Sequence, residues 1–247
     1  MYNFFVNENS KIEQGYAISG KDYNHIKNVL RMKTGEDVLV TFNGKSDLCC
    51  ITDFTDSEVL VKVIKPDYQN TELPVKLCLF QGIAKGEKME LVIQKAVELG
   101  VYEIIPVEMK RCIAKIEHNK VKQKTERFNL ISESASKQSK RNVIPKVLEP
   151  MSFARALEYA KVLDMLIIPY ECASGMQATK ECFSAIKPGM KVGVMIGAEG
   201  GFDDGEIENA KALENAKIIS LGSRILRTET ASITALSALM LHIETNL

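Results

Sequence analysis

From residue 75 onward two kinds of stretch alternate along the chain, and this limits the fold more than any other feature. Short runs rich in Val, Ile, Leu and Cys read as strands: "VKLCLFQG" (75–82), "VYEIIPV" (101–107), "DMLIIPY" (164–170), "KVGVMIG" (191–197) and "KIISLG" (217–222). Between them lie helical patterns: "GEKMELVIQKAVELG" (86–100), a long polar stretch to about 140, "SFARALEYA" (152–160), a segment after 170, and "DDGEIENAKAL" (203–213) capped by Asp203 or Asp204. An apolar helix closes the series. Strands separated by helices predict an α/β fold with a parallel sheet covered on both faces. In such sheets ligands bind at the carboxyl ends of the strands.

The first part reads differently. "EDVLVTF" (36–42), "DLCCITDF" (47–54) and "EVLVKVI" (58–64) are short strands punctuated by polar turns, and "DYNHIKNVLRM" (22–32) is a helix with Asp22 as its N-cap. A small β-barrel carrying one helix is expected. The polar stretch "KPDYQNTELP" (65–74) marks a boundary, giving domains at 1–70 and 74–247.

Composition excludes several function classes. Lys plus Arg and Asp plus Glu are 32 each, so a basic surface must be local rather than global. No C-x-x-C pair exists among the six cysteines, and His25, His118 and His242 are too scattered for a zinc site, so no metal is expected. The cysteines read as buried, reduced thiols of a cytoplasmic protein. "MYNFFVNENS" has no basic, apolar leader pattern, and no apolar run reaches the ~20 residues of a membrane span. "FNGKSD" imitates the end of a phosphate loop, but Leu39 stands where the earlier glycine is required.

Two strand ends are unusual. In "VGVMIGAEGGFDDGEIENA" (192–210) a buried strand runs into Gly197, Glu199, Gly200 and Gly201, where glycine lets backbone approach a ligand. In "LGSRILRTETASITAL" (221–236) a strand ends at Gly222, and Arg224, Arg227 and Glu229 follow directly before an apolar helix. Both ends fall on one side of a parallel sheet. A pocket between them would be lined by glycine backbone and aliphatic groups, with arginines on its rim. That suits a ligand with an adenosine part and a charged part.

"MIGAEGGFDDGEI" followed by "LGSRILRTETASITAL" resembles the RsmE family of 16S ribosomal RNA uridine N3-methyltransferases, of the SPOUT class. The resemblance extends to "HIKNVLRMKTGEDVLV" (25–40), "KGEKMELVIQKAVELGVYEIIPV" (85–107) and "KQSKRNVIPKV" (137–147). It implies an N-terminal PUA-like RNA-binding barrel and a C-terminal SPOUT domain whose parallel sheet is trefoil-knotted. It also implies S-adenosylmethionine (SAM) as cofactor, 16S rRNA of the small ribosomal subunit as substrate, and a homodimer. Three loops would hold the cofactor, with Ile168 and Tyr170, then Gly197, Glu199, Gly200 and Gly201, then Leu221, Gly222, Ile225 and Leu226. Ala198 stands where the family's glycine loop usually has proline.

Methylating N3 of uracil requires loss of a weakly acidic proton, so anion stabilisation or a base is needed. Arg227 is the first candidate to stabilise the uracil anion and Arg224 the second; Glu229 takes the proton or orients Arg227. Thr228 and Thr230 read as helix caps. Residues 115–146 hold nine Lys or Arg against three Glu. Within that run Lys137, Lys140 and Arg141, joined by His25, Lys27 and Arg31 of the first domain, are the expected phosphate-binding residues. The alternatives are another RNA target for the same chemistry, or a non-catalytic RNA-binding protein that kept the fold.

Overall fold

A computed structural model describes residues 1–173 and 175–246. The chain forms two compact units. One holds Met1–Glu72 with Ser136–Ile144, the other Leu73–Ala135 with Pro145–Leu247.

In the first unit, β1 (Asn3–Phe5), β2 (Lys11–Ile12), β3 (Gly15–Ser19), β4 (Asp37–Phe42), β5 (Lys45–Phe54) and β6 (Glu58–Gln69) form a curled sheet in the order β1-β4-β5-β6-β3-β2. The "NG" pair that imitated a phosphate loop is the β4–β5 hairpin turn, with φ +47° at Asn43 and +77° at Gly44. Alternate residues Val38, Val40, Cys49, Ile51, Val59 and Val61 fill the core with Phe4 and Ile26. The expected helix is α1 (Gly20–Asn24), continued by a π-helical turn over His25–Val29. Its N-cap is Ser19, not Asp22; Asp22 instead receives the ammonium of Lys137 at 2.8 Å.

Two sequence boundaries shift. The stretch assigned to a linker is partly strand, since β6 runs to Gln69. Residues 136–144, assigned to the second domain, belong to the first unit. They are fastened there by polar groups: Asn142 Oδ1 accepts from Thr71 N–H (2.9 Å), its amide donates to Gln69 O (2.9 Å), and its backbone N–H donates to Glu72 (2.9 Å).

The second unit contains β7 (Lys76–Gly82), α2 (Glu87–Glu98), β8 (Glu103–Glu108), most of α3 (Val121–Ser139), β9 (Lys146–Val147), β10 (Met151–Ser152), α4 (Phe153–Ala160), β11 (Met165–Pro169), α5 (Gln177–Ser184), β12 (Lys191–Ile196), α6 (Asp204–Lys211), β13 (Ala216–Ile219) and α7 (Thr228–Asn246). Its strands pair in parallel in the order β10-β8-β7-β12-β11-β13, with β9 beside β8. Period-2 alternation assigns each strand residue to one of two cores. Leu77, Leu79, Ile167, Val192 and Val194 pack under α2, α3, α5 and α7. Cys78, Phe80, Leu166, Ile168 and Met195 pack under α4 and α6. The fold is thus the expected α/β architecture with helices on both faces. No helix of the described residues is long and apolar enough to cross a membrane.

Candidate active site

The adjacent strands β12, β11 and β13 all end on one side of the second unit. The loops leaving them enclose a cavity of about 800 Å³ lined by 169–171, 173, 175 and 176, by 196–202, and by 220–226 with Thr228 and Ala231.

The glycine loop after β12 is a tight turn. Gly201 N–H donates to Ala198 O at 2.9 Å, and Gly201 adopts φ +69°, a conformation that glycine takes without strain. The closing acceptor is the carbonyl of Ala198, which proline would also supply. The loop presses on its neighbours. A Cβ on Gly82 would lie 2.5 Å from Ala198 N, and one on Gly200 would lie 2.8 Å from Arg111 Cβ. Gly200 therefore gives way to Arg111, not only to a ligand. Glu199 Oε1 accepts Lys85 N–H at 2.7 Å, while its Oε2 is buried without a hydrogen-bond partner among the described residues. Asp203 caps α6 in a capping box with Glu206. The buried Glu206 carboxylate also accepts the N–H of Lys110 at 2.8 Å, tying the loop after β8 to this turn. Lys110 Nζ, 2.6 Å from Asp203, holds that carboxyl below its usual range.

The loop after β13 starts from an anchor. Thr179 on α5 donates to Ser220 O at 2.8 Å and accepts from Ser220 N–H at 3.2 Å. Gly222 follows with φ +110°. Ser223, Arg224, Ile225 and Arg227 are exposed, and Leu226 is half-buried. Neither Arg224 nor Arg227 is held by an ion pair among the described residues.

Of the expected cofactor residues, Tyr170, Gly197, Glu199, Gly200, Gly201, Leu221, Gly222, Ile225 and Leu226 line the cavity. Ile168 does not: strand alternation turns its side chain into the core under α4 and α6. Arg224 is on the lining, and Arg227 lies between lining residues Leu226 and Thr228. Arg227 lies just before α7, and among the described residues no ion pair joins it to Glu229 in that helix's first turn. Glu229 Oε2 is 3.8 Å from Lys88 Nζ on α2, beyond hydrogen-bonding distance, and is buried with no hydrogen-bond partner among the described residues. Thr228 is not a cap; its hydroxyl donates to Gly197 O at 2.6 Å. The loop "IPYE" (168–171) brings Glu171 to the lining as expected, whereas sequence reasoning missed Ala173 and Met176 on the lining and Gln81 and Arg111 behind it. No local signal marks them.

The expected RNA-binding residues are divided. His25, Lys27, Arg31 and Lys140 are exposed, with Arg31 and Lys140 at φ +53° and +58°. Lys137 is occupied by Asp22. Arg141 is not a surface cation: it is 2% exposed, and its guanidinium grips the Glu72 carboxylate from two nitrogens.

The RNA methyltransferase domain family matches residues 71–240, and the RNA methyltransferase PUA domain family matches 18–64. Ribosomal RNA small subunit methyltransferase E of Bacillus subtilis is 34% identical over 99% of this chain and 98% of its own. A methyltransferase from Legionella pneumophila, solved with bound SAM, is 32% identical with a TM-score of 0.80, covering 96% of each chain. Ribosomal RNA small subunit methyltransferase E from Neisseria gonorrhoeae, solved with S-adenosyl methionine, is 29% identical with a TM-score of 0.81, covering 98% of this chain and 97% of that one. With family matches across both units and relatives aligned end to end, the chain belongs to the ribosomal RNA small subunit methyltransferase E family.

Proposed function

We propose that the protein methylates N3 of a uridine in the 16S rRNA of the small ribosomal subunit, using SAM. The observation that carries this reading is the cavity at the ends of β11, β12 and β13, with glycine backbone on one wall, Arg224 on its lining, and Arg227 between lining residues Leu226 and Thr228. The residues present fit the cofactor. The volume is that of a small-molecule site, the lining is mixed backbone and aliphatic, and Glu199 brings a carboxylate oxygen with no hydrogen-bond partner among the described residues. Bound SAM supplies an electrophilic methyl group on sulfonium sulfur.

Methylation at N3 would require the N3 proton to leave, and this chain's residues serve that demand. Arg227, with Arg224 beside it, stabilises the negative charge that develops on the uracil, acting where the fixed N–H fork meets an oxygen. Glu229, one residue past cavity-lining Thr228, accepts the proton, and Lys88 Nζ, 3.8 Å from its Oε2, steadies the carboxylate electrostatically. The target base must leave its stack to reach the cavity. Exposed His25, Lys27, Arg31 and Lys140 contact phosphate.

The decisive experiment is single-turnover methylation of small ribosomal subunits by Arg227→Ala, with SAM affinity measured in parallel. Turnover is expected to fall ~10²–10³-fold with cofactor affinity retained, because the charge exists only in the transition state. Wild-type turnover would remove Arg227 from the chemistry. A homodimer is part of this reading. Ile233 and Met240 of α7 remain only half-buried and Leu241 is 56% exposed, an apolar face suited to a second copy. Sedimentation at micromolar concentration should give twice the chain mass; a monomer would contradict it.

A further inference from the structure

Behind the cavity wall runs a buried polar chain. Gln81, at the end of β7, is wholly inaccessible, as is Ser232 on α7, and Thr228 is 5% exposed. The orientation of the Gln81 amide follows from its neighbours. Gly82 O, 2.9 Å away, can only accept, so the amide nitrogen faces it. The second N–H of that nitrogen points to Thr228 Oγ1, also at 2.9 Å. Gln81 Oε1 accepts from the Ser232 hydroxyl, whose one proton is shared with Thr228 O at 2.9 Å. Since Thr228 Oγ1 receives a proton from Gln81, its own single proton is directed to Gly197 O. The bonds therefore run one way, from Ser232 to Gln81 to Thr228 to Gly197.

This chain ties three segments together: the end of β7, the first residue of the glycine loop and the first turns of α7. The surroundings are otherwise apolar, with Leu79, Val194 and Leu236 in the same core. A buried polar network in such a place is costly unless every member is bonded, and once bonded it holds one arrangement. Thr228 and Gly197 both line the cavity, whereas Gln81 does not. The residues flanking Thr228 are Arg227 and Glu229.

We propose that Gln81 is a positioning residue of the transfer site. It acts through Thr228 to lock the start of α7 against the glycine loop, which sets the positions of Arg227 and Glu229 on either side of cavity-lining Thr228. This role rests on the methyl-transfer reading above.

The test compares Gln81→Met, which keeps length but removes the amide, with Thr228→Val, their double variant and Thr228→Ser. Methylation of small ribosomal subunits gives kcat and KM, and calorimetry gives SAM affinity. Gln81→Met is expected to lower kcat about tenfold or more, the scale of a sub-ångström misplacement, with KM for the subunit little changed. Thr228→Val should match it, and the double variant should be no worse, because the chain acts as a unit. Thr228→Ser, which keeps the hydroxyl, should recover most of the loss. A merely structural role would lower the melting temperature and leave kcat of the folded enzyme at the wild-type value, and that result overturns the proposal. If Gln81→Met does not fold, equal kcat for Thr228→Val and Thr228→Ser overturns it instead. A wild-type protein inactive in both assays overturns the functional reading and the role with it. An active wild type beside an equally active Gln81→Met overturns the role alone.

Discussion

Gly82→Ala adds one carbon to the cavity's supporting wall, and the structure states what that carbon meets. The new Cβ would lie 2.5 Å from Ala198 N, 2.9 Å from Gly197 C and 3.0 Å from Ala198 Cα. Optimal separation of such atoms is about 3.5–4.0 Å. All three are backbone atoms, so no side-chain rotation relieves the overlap. Gly82 cannot retreat, because it pairs with Val107 in the sheet and Ile83 N–H is bonded to Val107 O at 3.0 Å. The glycine loop must move instead, by roughly 1 Å to restore contact distance, against its bonds to Thr228 and Lys85. Overpacking of this kind costs about 1–3 kcal/mol. For a chain of this size that lowers Tm by about 2–12 °C. A 1 Å misplacement costs about 10²-fold in reaction rate. Thermal unfolding and single-turnover methylation by Gly82→Ala should show both losses, and SAM calorimetry should show weakened binding. Gly189→Ala is the control: φ there is +85° and nothing lies within 4 Å of the new carbon, so only backbone strain is added, away from the cavity. If Gly82→Ala loses stability but binds SAM as the wild type does, the 197–201 loop is not a wall of the cofactor site.

Two further outcomes follow from burial. Arg141→Ala should destabilise by about 3–5 kcal/mol, because it strands the Glu72 carboxylate, whereas exposed Lys140→Ala should stay within about 0.5 kcal/mol. Urea unfolding distinguishes them, and equal midpoints would contradict the buried pairing. Burial pushes the Cys49 and Cys78 thiols up to about 12 and Cys182 up to about 11. A raised value leaves these groups protonated until the pH passes it, so at pH 8 they should resist a thiol reagent while exposed Cys172 reacts; peptide mapping that finds Cys78 labelled as fast as Cys172 would refute this.

The sheet and the cavity loops were legible in the sequence because their signals are local. Apolar runs of strand length and "GAEGG" each announce themselves within a few residues. What the sequence misplaced depends on partners far along the chain. Arg141 sits in a basic run and looks like surface charge, yet Glu72, 69 residues away, buries it. Residues 136–144 continue a polar helix, yet Asn142 and Lys137 fasten them to the first unit. The thiol of Cys172 looked like its buried fellows and is exposed, because it falls just after β11 instead of within it. Ile168 was misassigned for a different reason: its strand was identified, but which of two faces an alternating residue takes is not marked by its own neighbours.

The same long-range dependence explains how loops, the most mobile class of element, can form a binding wall. The loops after β12 and β13 are held by side-chain hydrogen bonds. Thr179 fixes Ser220 at the end of β13. Gln81 and Thr228 fix Gly197, and Glu199 is held by Lys85 N–H. Glu206 receives Lys110 N–H, which fixes the turn beyond Gly201. Thr179 and Thr228 bond to loop backbone atoms, so they set the path of the loops, while Glu199 uses one carboxylate oxygen of its own. A wall ordered before binding spares the cofactor the entropy of ordering it. The two groups left outside this scheme are the guanidiniums of Arg224 and Arg227, on an exposed stretch beside a rigid turn. Both side chains are exposed and, among the described residues, in no ion pair, while the anchored backbone beside them keeps the cavity in place.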